Sequence, residues 1–191
     1  SGGFFGGNPT VSYHVAKNAS KMAGAKRTET IKSKSGLILG GDIDAVSAFN
    51  EETDTLYLMA YNFKNDLDYK TSTDLSFEIN APQFDGKKVK ITTYTIDDDC
   101  NYFDEWVEDR KTYNIGDDCF GWSPDDPQID NPTTLKNQEA RDIYFNKLYS
   151  KYTECSKLAP TEEAITVEDG KITLNTTLDP HAVVFYEITE A

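Results

Sequence analysis

The sequence is poor in the residue types on which the commonest catalytic motifs depend. It has two histidines and three cysteines among 191 residues, with no CxxC pair and no GxSxG segment. Zinc sites, redox dithiols and serine nucleophiles need such patterns, so the sequence argues against all three. The glycine-rich residues 1–8 lack both the GxGxxG order and a preceding strand, which argues against a phosphate-binding loop.

Basic residues and long apolar runs are scarce as well. The chain has 19 Lys and Arg against 33 Asp and Glu, a net charge of −14. Nucleic acids and anionic membrane surfaces need a basic footprint, so we expect neither as a partner. No apolar run approaches the ~18 residues of a membrane-spanning helix, and no signal peptide is visible. Neutral ligands such as sugars, or divalent cations, suit this charge, although acidity alone also confers solubility.

What the sequence does contain favours one β-rich domain. An apolar fraction of 38% and an aromatic fraction of 12%, with eleven Tyr and ten Phe, can fill a core. Thr55–Phe63 alternates with apolar side chains on both faces, which is typical of a central strand. Further strands are predicted at Leu37–Gly40, Asp42–Phe49, Leu75–Ile79, Lys87–Ile96, Ala164–Glu168, Lys171–Thr176 and Ala182–Ile188. Short strands separated by polar turns predict an antiparallel β-sandwich, with a hairpin turn at Asp169-Gly170.

Two or three short helices interrupt this pattern. Residues 10 to about 23 have apolar positions at helical spacing, and helices are also predicted at about 100–111 and 134–155. The polar residues 25–35 are predicted as a linker or an edge segment. Residues 113–132 are predicted as a loop, and so long an irregular segment is often functional. The predicted fold class is therefore mainly β, an antiparallel β-sandwich with two or three short helices.

The acidic second helix does not have the features of a catalytic site. Asp104 with Glu108, and Glu105 with Asp109, form i,i+4 pairs that face solvent. A glycosidase needs two carboxylates on opposite sides of a sugar, one of them with a pKa raised by an apolar pocket. No such pocket is evident near these residues. Trp106, on the same helix, is predicted to pack in the core.

Aromatic residues beside hydrogen-bonding side chains make the long loop the best candidate binding site. A flat ring stacks on the C–H groups of a pyranose, while polar side chains hold its hydroxyl groups. The candidate carbohydrate-binding residues of the loop are Trp122, Phe120, Asp125, Asp126 and Gln128, with Asn131 beside them. A second candidate platform at a strand end consists of Tyr61, Phe63 and Tyr69. The alternative is that Trp122 only covers the edge of the sandwich or the third helix.

No cofactor is predicted, and a structural calcium ion is an open alternative. Calcium takes about six to eight oxygen ligands. Residues 97–99 and 117–118 are aspartates that could supply some of them, but neither run has the spaced DxDxDG pattern. Cys100 and Cys119 flank one acidic, aromatic loop, and they either pair in a secreted protein or stay as thiols.

Three segments together have a recognisable order. GGFFGGNPTVSYHVAKNASKMAGAK combines a Gly-rich Phe turn with Tyr13, TYTIDDDCNYFDEWVE places Asn101, Phe103 and Trp106 after a strand, and GKITLNTTLDPHAVVFYEI ends the chain with a Pro-His segment. They resemble the end of the catalytic barrel and the following β-sandwich of the family 39 glycoside hydrolases, the β-xylosidases and their relatives. The Lys-Pro that usually precedes the barrel-end Tyr in that family is absent here.

The resemblance implies that residues 1–25 are the tail of a catalytic barrel. It implies that about 30–191 form a β-sandwich with inserted helices at about 100–111 and 134–155. The family's two catalytic glutamates lie on barrel strands, which would precede Ser1, so no residue of this chain matches them. The chain is therefore expected to be non-catalytic.

The sequence thus predicts a non-catalytic carbohydrate-binding module of a secreted bacterial enzyme that degrades plant cell walls. Its expected partners are a polysaccharide, such as xylan, xyloglucan or β-glucan, and the catalytic domain of the same parent enzyme. The alternative is an accessory β-sandwich that braces a glycoside hydrolase barrel without binding glycan itself. A binding module should expose its aromatic rings, Trp122 above all, whereas an accessory domain should bury them.

Overall fold

The computed structural model describes residues 4–35, 42–66, 68–121 and 132–191. The chain divides into two compact units. The larger unit comprises Val15–Asp97 and Leu158–Ala191, and the smaller unit comprises the described parts of Ser1–His14 and Asp98–Lys157. Each unit has a hydrophobic core of its own.

Strands predominate over helices in the described residues. The strands are β1 (Phe4–Phe5), β2 (Asn8–Pro9), β3 (Lys26–Arg27), β4 (Thr30–Ser35), β5 (Asp42–Asn50), β6 (Thr55–Phe63), β7 (Thr73–Asn80), β8 (Lys88–Ile96), β9 (Thr161–Thr166), β10 (Lys171–Leu178) and β11 (Val183–Glu190). The α-helices are α1 (Val11–Ser20), α2 (Phe103–Thr112), α3 (Gln138–Ile143) and α4 (Tyr149–Cys155). The predicted strand at Leu37–Gly40 lies outside the described residues.

The larger unit is an antiparallel β-sandwich, as the strand pattern predicts. A three-stranded sheet has the order β10-β7-β4, and a six-stranded sheet has the order β3-β5-β6-β11-β8-β9. Neighbouring strands in both sheets are antiparallel. The predicted fold class, mainly β with a few short helices, is therefore confirmed.

Alternating side chains from both sheets form the core of the sandwich. On β6, Leu56, Leu58 and Ala60 are fully buried, and they belong to the same apolar cluster as Phe77 and Ile79 of β7 in the other sheet. Removing such side chains from water contributes roughly 25 cal/mol for each Å² of apolar surface buried. Strand β6 lies between β5 and β11, which confirms that it is a central strand.

A lysine lies across the outer face of the six-stranded sheet. The Nζ atom of Lys21, just after α1, is 4.3 Å from the centre of the Tyr94 ring and 5.7 Å from that of the Phe185 ring. The same atom donates hydrogen bonds to Tyr94 Oη at 3.2 Å and to Glu187 Oε2 at 2.7 Å. These cation–π and ion-pair contacts tie the end of the helix to β8 and β11.

Two edge strands lie in or extend beyond segments to which the sequence pattern assigns less. Strand β4 forms an edge of the smaller sheet and lies within the polar segment predicted as a linker or an edge. Strand β9 forms an edge of the larger sheet and begins at Thr161, three residues before the predicted Ala164. Five of its six residues are exposed, and only Ile165 is partly buried.

Asp169 and Gly170 form a tight turn, but the turn does not join a hairpin. Both residues have positive φ, 54° and 61°, as a type I′ turn requires. Strand β9 pairs with β8, whereas β10 pairs with β7 in the other sheet, so the predicted hairpin of these two strands is wrong. Glu168 and Lys171 form an antiparallel bridge across the turn, and other segments hold the turn as well. Gly170 N donates to Asp85 Oδ1 at 2.8 Å, and Ala81 N donates to Gly170 O at 2.8 Å, so the chain crosses from one sheet to the other here.

Aromatic rings form most of the core of the smaller unit. Trp106 of α2 is 1% exposed, and its ring meets those of Phe120, Tyr144 and Tyr152 edge-on. Tyr152 also stacks on Tyr102, with ring centres 4.7 Å apart. Each such pair contributes about 0.5–1.5 kcal/mol beyond its buried area. The prediction that Trp106 is a packing residue is confirmed.

The helices predicted at about 100–111 and 134–155 are both present, between β8 and β9 in the chain. Helices α3 and α4 are joined by a π-helical turn at Tyr144–Leu148. Asn137 caps the start of α3, because its Oδ1 atom accepts a hydrogen bond from Ala140 N at 3.0 Å. The described helices are all too short or too polar to cross a membrane. The interpretation of residues 1–25 as a barrel tail stays a prediction.

Two tyrosine hydroxyl groups hold the glycine-rich turn between β1 and β2. Tyr102 Oη donates a hydrogen bond to the carbonyl oxygen of Phe5, and Tyr144 Oη donates to that of Gly6 at 2.6 Å. Gly6 has a φ of +56°, in the left-handed region that favours glycine. A Cβ atom at this position would collide with the Tyr144 hydroxyl and come within 2.9 Å of the Tyr102 hydroxyl. The turn is therefore fitted to a residue without a side chain.

The substitution Gly6→Ala should destabilise the protein by about 3 kcal/mol, since left-handed strain and overpacking each cost about 1–2 kcal/mol. Gly24→Ala is the matched control, because Gly24 also has positive φ, +81°, but no described atom within 4 Å of an added Cβ. The free energy of unfolding, measured by urea denaturation, distinguishes the two variants. In a double-mutant cycle, Tyr144→Phe should relieve part of the Gly6→Ala cost. Equal costs at the two glycines would contradict the assignment.

Candidate functional site

An aromatic surface lies at the end of β6 in the larger unit. Tyr61 and Phe63 are two residues apart, so they project from the same face of the sheet. Phe63 is 49% exposed, and Tyr61 is half-buried. In the paired strands, Tyr61 lies opposite Asp44 of β5 and Val183 of β11. The strand end thus presents two rings beside a carboxylate.

His181 supports this surface from the turn before β11. Its ring centre is 5.9 Å from that of Phe63 and 5.8 Å from that of Tyr69, and both contacts are near perpendicular. His181 has a φ of +62°, which histidine tolerates better than most residues. Its Nε2 atom lies 3.2 Å from the carbonyl oxygen of Asp66. We call Tyr61, Phe63, Tyr69 and His181 the strand-end cluster.

The fully buried side chain of Asn62 organises the backbone under the strand-end cluster. Its Nδ2 group donates hydrogen bonds to the carbonyl oxygens of Thr71 at 2.9 Å and Leu178 at 3.1 Å. Its Oδ1 atom accepts a hydrogen bond from Tyr69 Oη at 3.0 Å. One amide therefore joins β6 to the loop before β7 and to the end of β10.

Charged side chains border the strand-end cluster on one side. Lys64 Nζ is 3.6 Å from Asp66 Oδ2 and 5.6 Å from the centre of the Tyr69 ring. Such an arrangement offers apolar ring surface with hydrogen-bonding groups at its rim. It suits a ligand that has both C–H and hydroxyl surfaces.

The structure locates three of the residues predicted from sequence to bind carbohydrate. Tyr61 is half-buried, whereas Tyr69 is 4% exposed and Phe120 is 5% exposed. Tyr69 and Phe120 therefore offer no open ring face, because one supports the strand-end cluster and the other packs against Trp106. Trp122, Asp125, Asp126 and Gln128 lie outside the described residues. Their role in binding glycan stays a prediction.

Two residues at the strand end carried no predicted role. His181 belongs to the Pro-His segment, which contributes to the family resemblance but predicts no binding role. Asn62 lies in a strand of mainly apolar residues. The signal for Asn62 is the polar residue itself, because a buried amide needs partners from other segments. The sequence gives less indication for His181, because a histidine in a turn is compatible with several different roles.

The acidic helix α2 uses its carboxylates for local contacts. Asp109 Oδ2 accepts hydrogen bonds from Tyr152 Oη at 2.7 Å and from Lys151 Nζ at 2.8 Å. Glu108 Oε1 accepts one from Lys111 Nζ at 2.7 Å. Glu108 and Asp109 therefore have hydrogen-bond partners within the smaller unit.

A pocket of about 500 Å³ lies beside the end of α2 and is lined partly by Arg110 and Lys111. Arg110 Nη2 donates to Asp117 Oδ1 at 2.5 Å, and its guanidinium lies over the ring of Phe120. Lys111 is paired with Glu108. Both cations already have anionic partners, so the pocket has little charge to offer a ligand.

The described residues contain no group of three or more His, Cys, Asp or Glu side chains placed to hold a metal ion. A structural calcium ion stays a prediction. Cys100 and Cys119 are buried, Cys155 is partly buried, and all three carry thiols. Of the two alternatives for Cys100 and Cys119, the structure has the thiol form.

Comparison with known proteins gives one finding of limited extent. No protein family and no curated protein matches the chain. Among solved structures, the chain is similar to a bacterial orthologue of human α-L-iduronidase, with 8% identical residues and a TM-score of 0.43. The similarity covers 78% of this chain and 22% of that protein.

The substitution Asn62→Ala should destabilise the protein by about 3 kcal/mol, since three buried hydrogen bonds at about 1 kcal/mol each lose a partner. Asn65→Ala, in the exposed loop after β6, is the matched control and should change stability by less than about 0.5 kcal/mol. Urea denaturation measures both values. A cost below about 1 kcal/mol for Asn62→Ala would show that the amide is dispensable.

The free energy of unfolding should fall as the pH rises above about 10, the ordinary pKa of tyrosine. Burial raises the pKa of Tyr144 to about 12, and burial also raises the pKa values of Tyr102 and Tyr152. The folded state thus holds these protons more tightly than the unfolded state. The stabilisation is complete below pH ~10 and is lost as the pH rises through the folded pKa values.

Denaturation at a series of alkaline pH values, with tyrosinate absorbance followed in the native protein, checks this dependence. Tyr144→Phe removes one of the raised groups and should make the decline with pH less steep. A free energy of unfolding that stays constant through pH ~11 would contradict the raised pKa values.

Proposed function

We propose that the chain is a non-catalytic carbohydrate-binding domain of a secreted bacterial glycoside hydrolase that degrades plant cell walls. Its ligand is a neutral polysaccharide such as xylan, xyloglucan or β-glucan. The binding surface in the described residues is the open part of the strand-end cluster, formed by Tyr61 and Phe63. The catalytic glutamates belong to another domain of the parent enzyme, which is the second partner.

One observation carries the proposal of glycan binding. The ring of Phe63 is half exposed at a strand end, and it contacts the His181 ring in a near-perpendicular arrangement with ring centres 5.9 Å apart. A ring that neighbouring side chains hold in place loses less conformational entropy on binding than a ring in a mobile loop, so it is preorganised to stack on a sugar. Tyr61 on the same face extends the apolar surface and adds a phenol hydroxyl group.

The resemblance of three segments to family 39 glycoside hydrolases supports the proposed class of parent enzyme. The charge of the chain supports a neutral ligand, because a net charge of −14 disfavours polyanions. Secretion and the bacterial origin follow only from the proposed class.

A second candidate function is that of an accessory sandwich that braces a catalytic barrel without binding glycan. The burial of Tyr69 and Phe120 favours it, because those rings serve packing. If it holds, a separately produced barrel of the parent enzyme should be thermally stabilised by this domain, and no polysaccharide should bind.

Affinity electrophoresis and titration calorimetry with xylan, xyloglucan and β-glucan test the proposal. At least one of them should bind, and Phe63→Ala should weaken that binding about tenfold, which corresponds to about 1.4 kcal/mol. Tyr61→Phe, which removes only the hydroxyl group, should have a smaller effect.

Phe145→Ala is the matched control for Phe63→Ala. Phe145 is 50% exposed, close to the value for Phe63, but it lies in the smaller unit against Tyr144 and Tyr149. Its loss should leave the affinity unchanged. Binding that Phe63→Ala does not weaken would remove the strand-end cluster as the site, and the absence of any polysaccharide binding would remove the function itself.

A further inference from the structure

A pocket of about 260 Å³ lies in the smaller unit, and aromatic and uncharged polar side chains predominate in its lining. Its residues include Phe5, Ser12, Asn101, Tyr102 and Phe103. The volume lies below the ~300–1,000 Å³ of pockets for drug-sized ligands. A single six-membered ring with its substituents is therefore the size of ligand that it suits.

Among the described residues, those that line this pocket are all uncharged. This is unusual in a chain in which 27% of the residues are charged and acidic residues outnumber basic ones by 33 to 19. A charged ligand would find no counter-ion among the lining residues and would lose solvation on entry. A neutral ligand has no charge whose solvation is lost on entry.

Aromatic rings form the apolar part of the pocket. Phe103 is 46% exposed, and its ring centre is 6.2 Å from that of Phe5 in a near-perpendicular contact. Phe5 is fixed in turn, because its carbonyl oxygen accepts a hydrogen bond from Tyr102 Oη and its ring packs against the Tyr102 ring at 5.9 Å. The exposed ring of Phe103 thus lies beside the ring of Phe5, which Tyr102 of the core holds in position.

Asn101 and Ser12 supply the polar part of the pocket. Asn101 Oδ1 accepts hydrogen bonds from the backbone N–H groups of Tyr102 at 2.9 Å and Phe103 at 3.3 Å. These bonds orient the side chain and leave its amide Nδ2 group as the part that can donate to a ligand. Ser12 is exposed and adds a hydroxyl group that donates or accepts.

We propose that this pocket binds one neutral pyranose residue, with the C–H face of the sugar on Phe103 and its hydroxyl groups on Asn101 and Ser12. It is a second glycan subsite, in the unit that does not contain the strand-end cluster. The class of ligand rests on the proposed function, but the site does not, since it shares no residue with the strand-end cluster.

The test is a titration of the whole chain, uniformly labelled with ¹⁵N, with methyl β-xyloside, methyl β-glucoside and glucuronate, followed by NMR. A neutral glycoside should shift the Asn101 side-chain amide resonances and the backbone resonances around Phe103. Glucuronate should bind about tenfold more weakly or worse, because the pocket offers its carboxylate no cation.

Two variants remove the two kinds of contact separately. Phe103→Ala removes the open ring and should weaken binding of the neutral glycoside about tenfold. Asn101→Asp keeps the oxygen that accepts hydrogen bonds from Tyr102 N and Phe103 N and replaces the donating amide by a charged oxygen, so the local backbone contacts are retained while the affinity falls. Phe145→Ala, outside the pocket, should leave this binding unchanged.

The outcomes separate this proposal from the proposed function. Weaker glycoside binding at the resonances around Phe103 in Phe103→Ala and Asn101→Asp, with Phe145→Ala unaffected, supports the pocket. Binding that depends on Phe63 alone overturns the pocket and leaves the proposed function intact. Equal binding of glucuronate overturns the assignment of a neutral ligand, and no binding of any glycoside overturns the pocket.

Discussion

The amide of Asn62 is the constraint on which the end of the sandwich depends. A fully buried side chain with two donors and an acceptor must satisfy them inside the protein or lose the free energy of their hydration. Its partners come from three segments, through Tyr69, Thr71 and Leu178. Satisfying one residue therefore sets the path of the loop after β6 and the exit of β10. The position of the exposed Phe63 ring depends on this buried amide, because Asn62 fixes Tyr69, the Tyr69 ring contacts His181, and His181 contacts Phe63.

The larger part of the fold could be predicted from the sequence, because it depends on local periodicity. The alternation in Thr55–Phe63 predicts a central strand, and the spacing around Trp106 predicts a packing helix. Pairing between distant strands is not local. The turn at Asp169-Gly170 has the residues of a hairpin, yet its partners at Ala81 and Asp85 draw the chain into the other sheet. The tertiary contacts outweigh the preference of the turn.

The candidate site was less predictable, because composition indicates which residues are aromatic but not which of their faces are open. Tyr69 and Phe120 are as suited to stacking on a sugar as Tyr61, and only the fold shows that both are buried. Phe103 is part of a segment that resembles the family 39 sandwich, but the sequence predicts no binding role for it, because its exposure depends on where α2 begins. The pocket beside it combines two segments that are about 90 residues apart in the chain, and no local pattern relates them.

The exposed edge of the six-stranded sheet has a consequence for the behaviour of the protein at high concentration. Among the described residues, strand β9 pairs on one side only, with β8, and such an edge is a template on which another chain can add a strand and start a fibre. Two neighbouring carboxylates, Glu162 and Glu163, stand on this short strand and are exposed. Glu162 is paired with Lys90 at 3.4 Å, whereas a second copy that approached edge to edge would add its own carboxylates to Glu163 at this edge, and their repulsion opposes growth of the sheet into an aggregate.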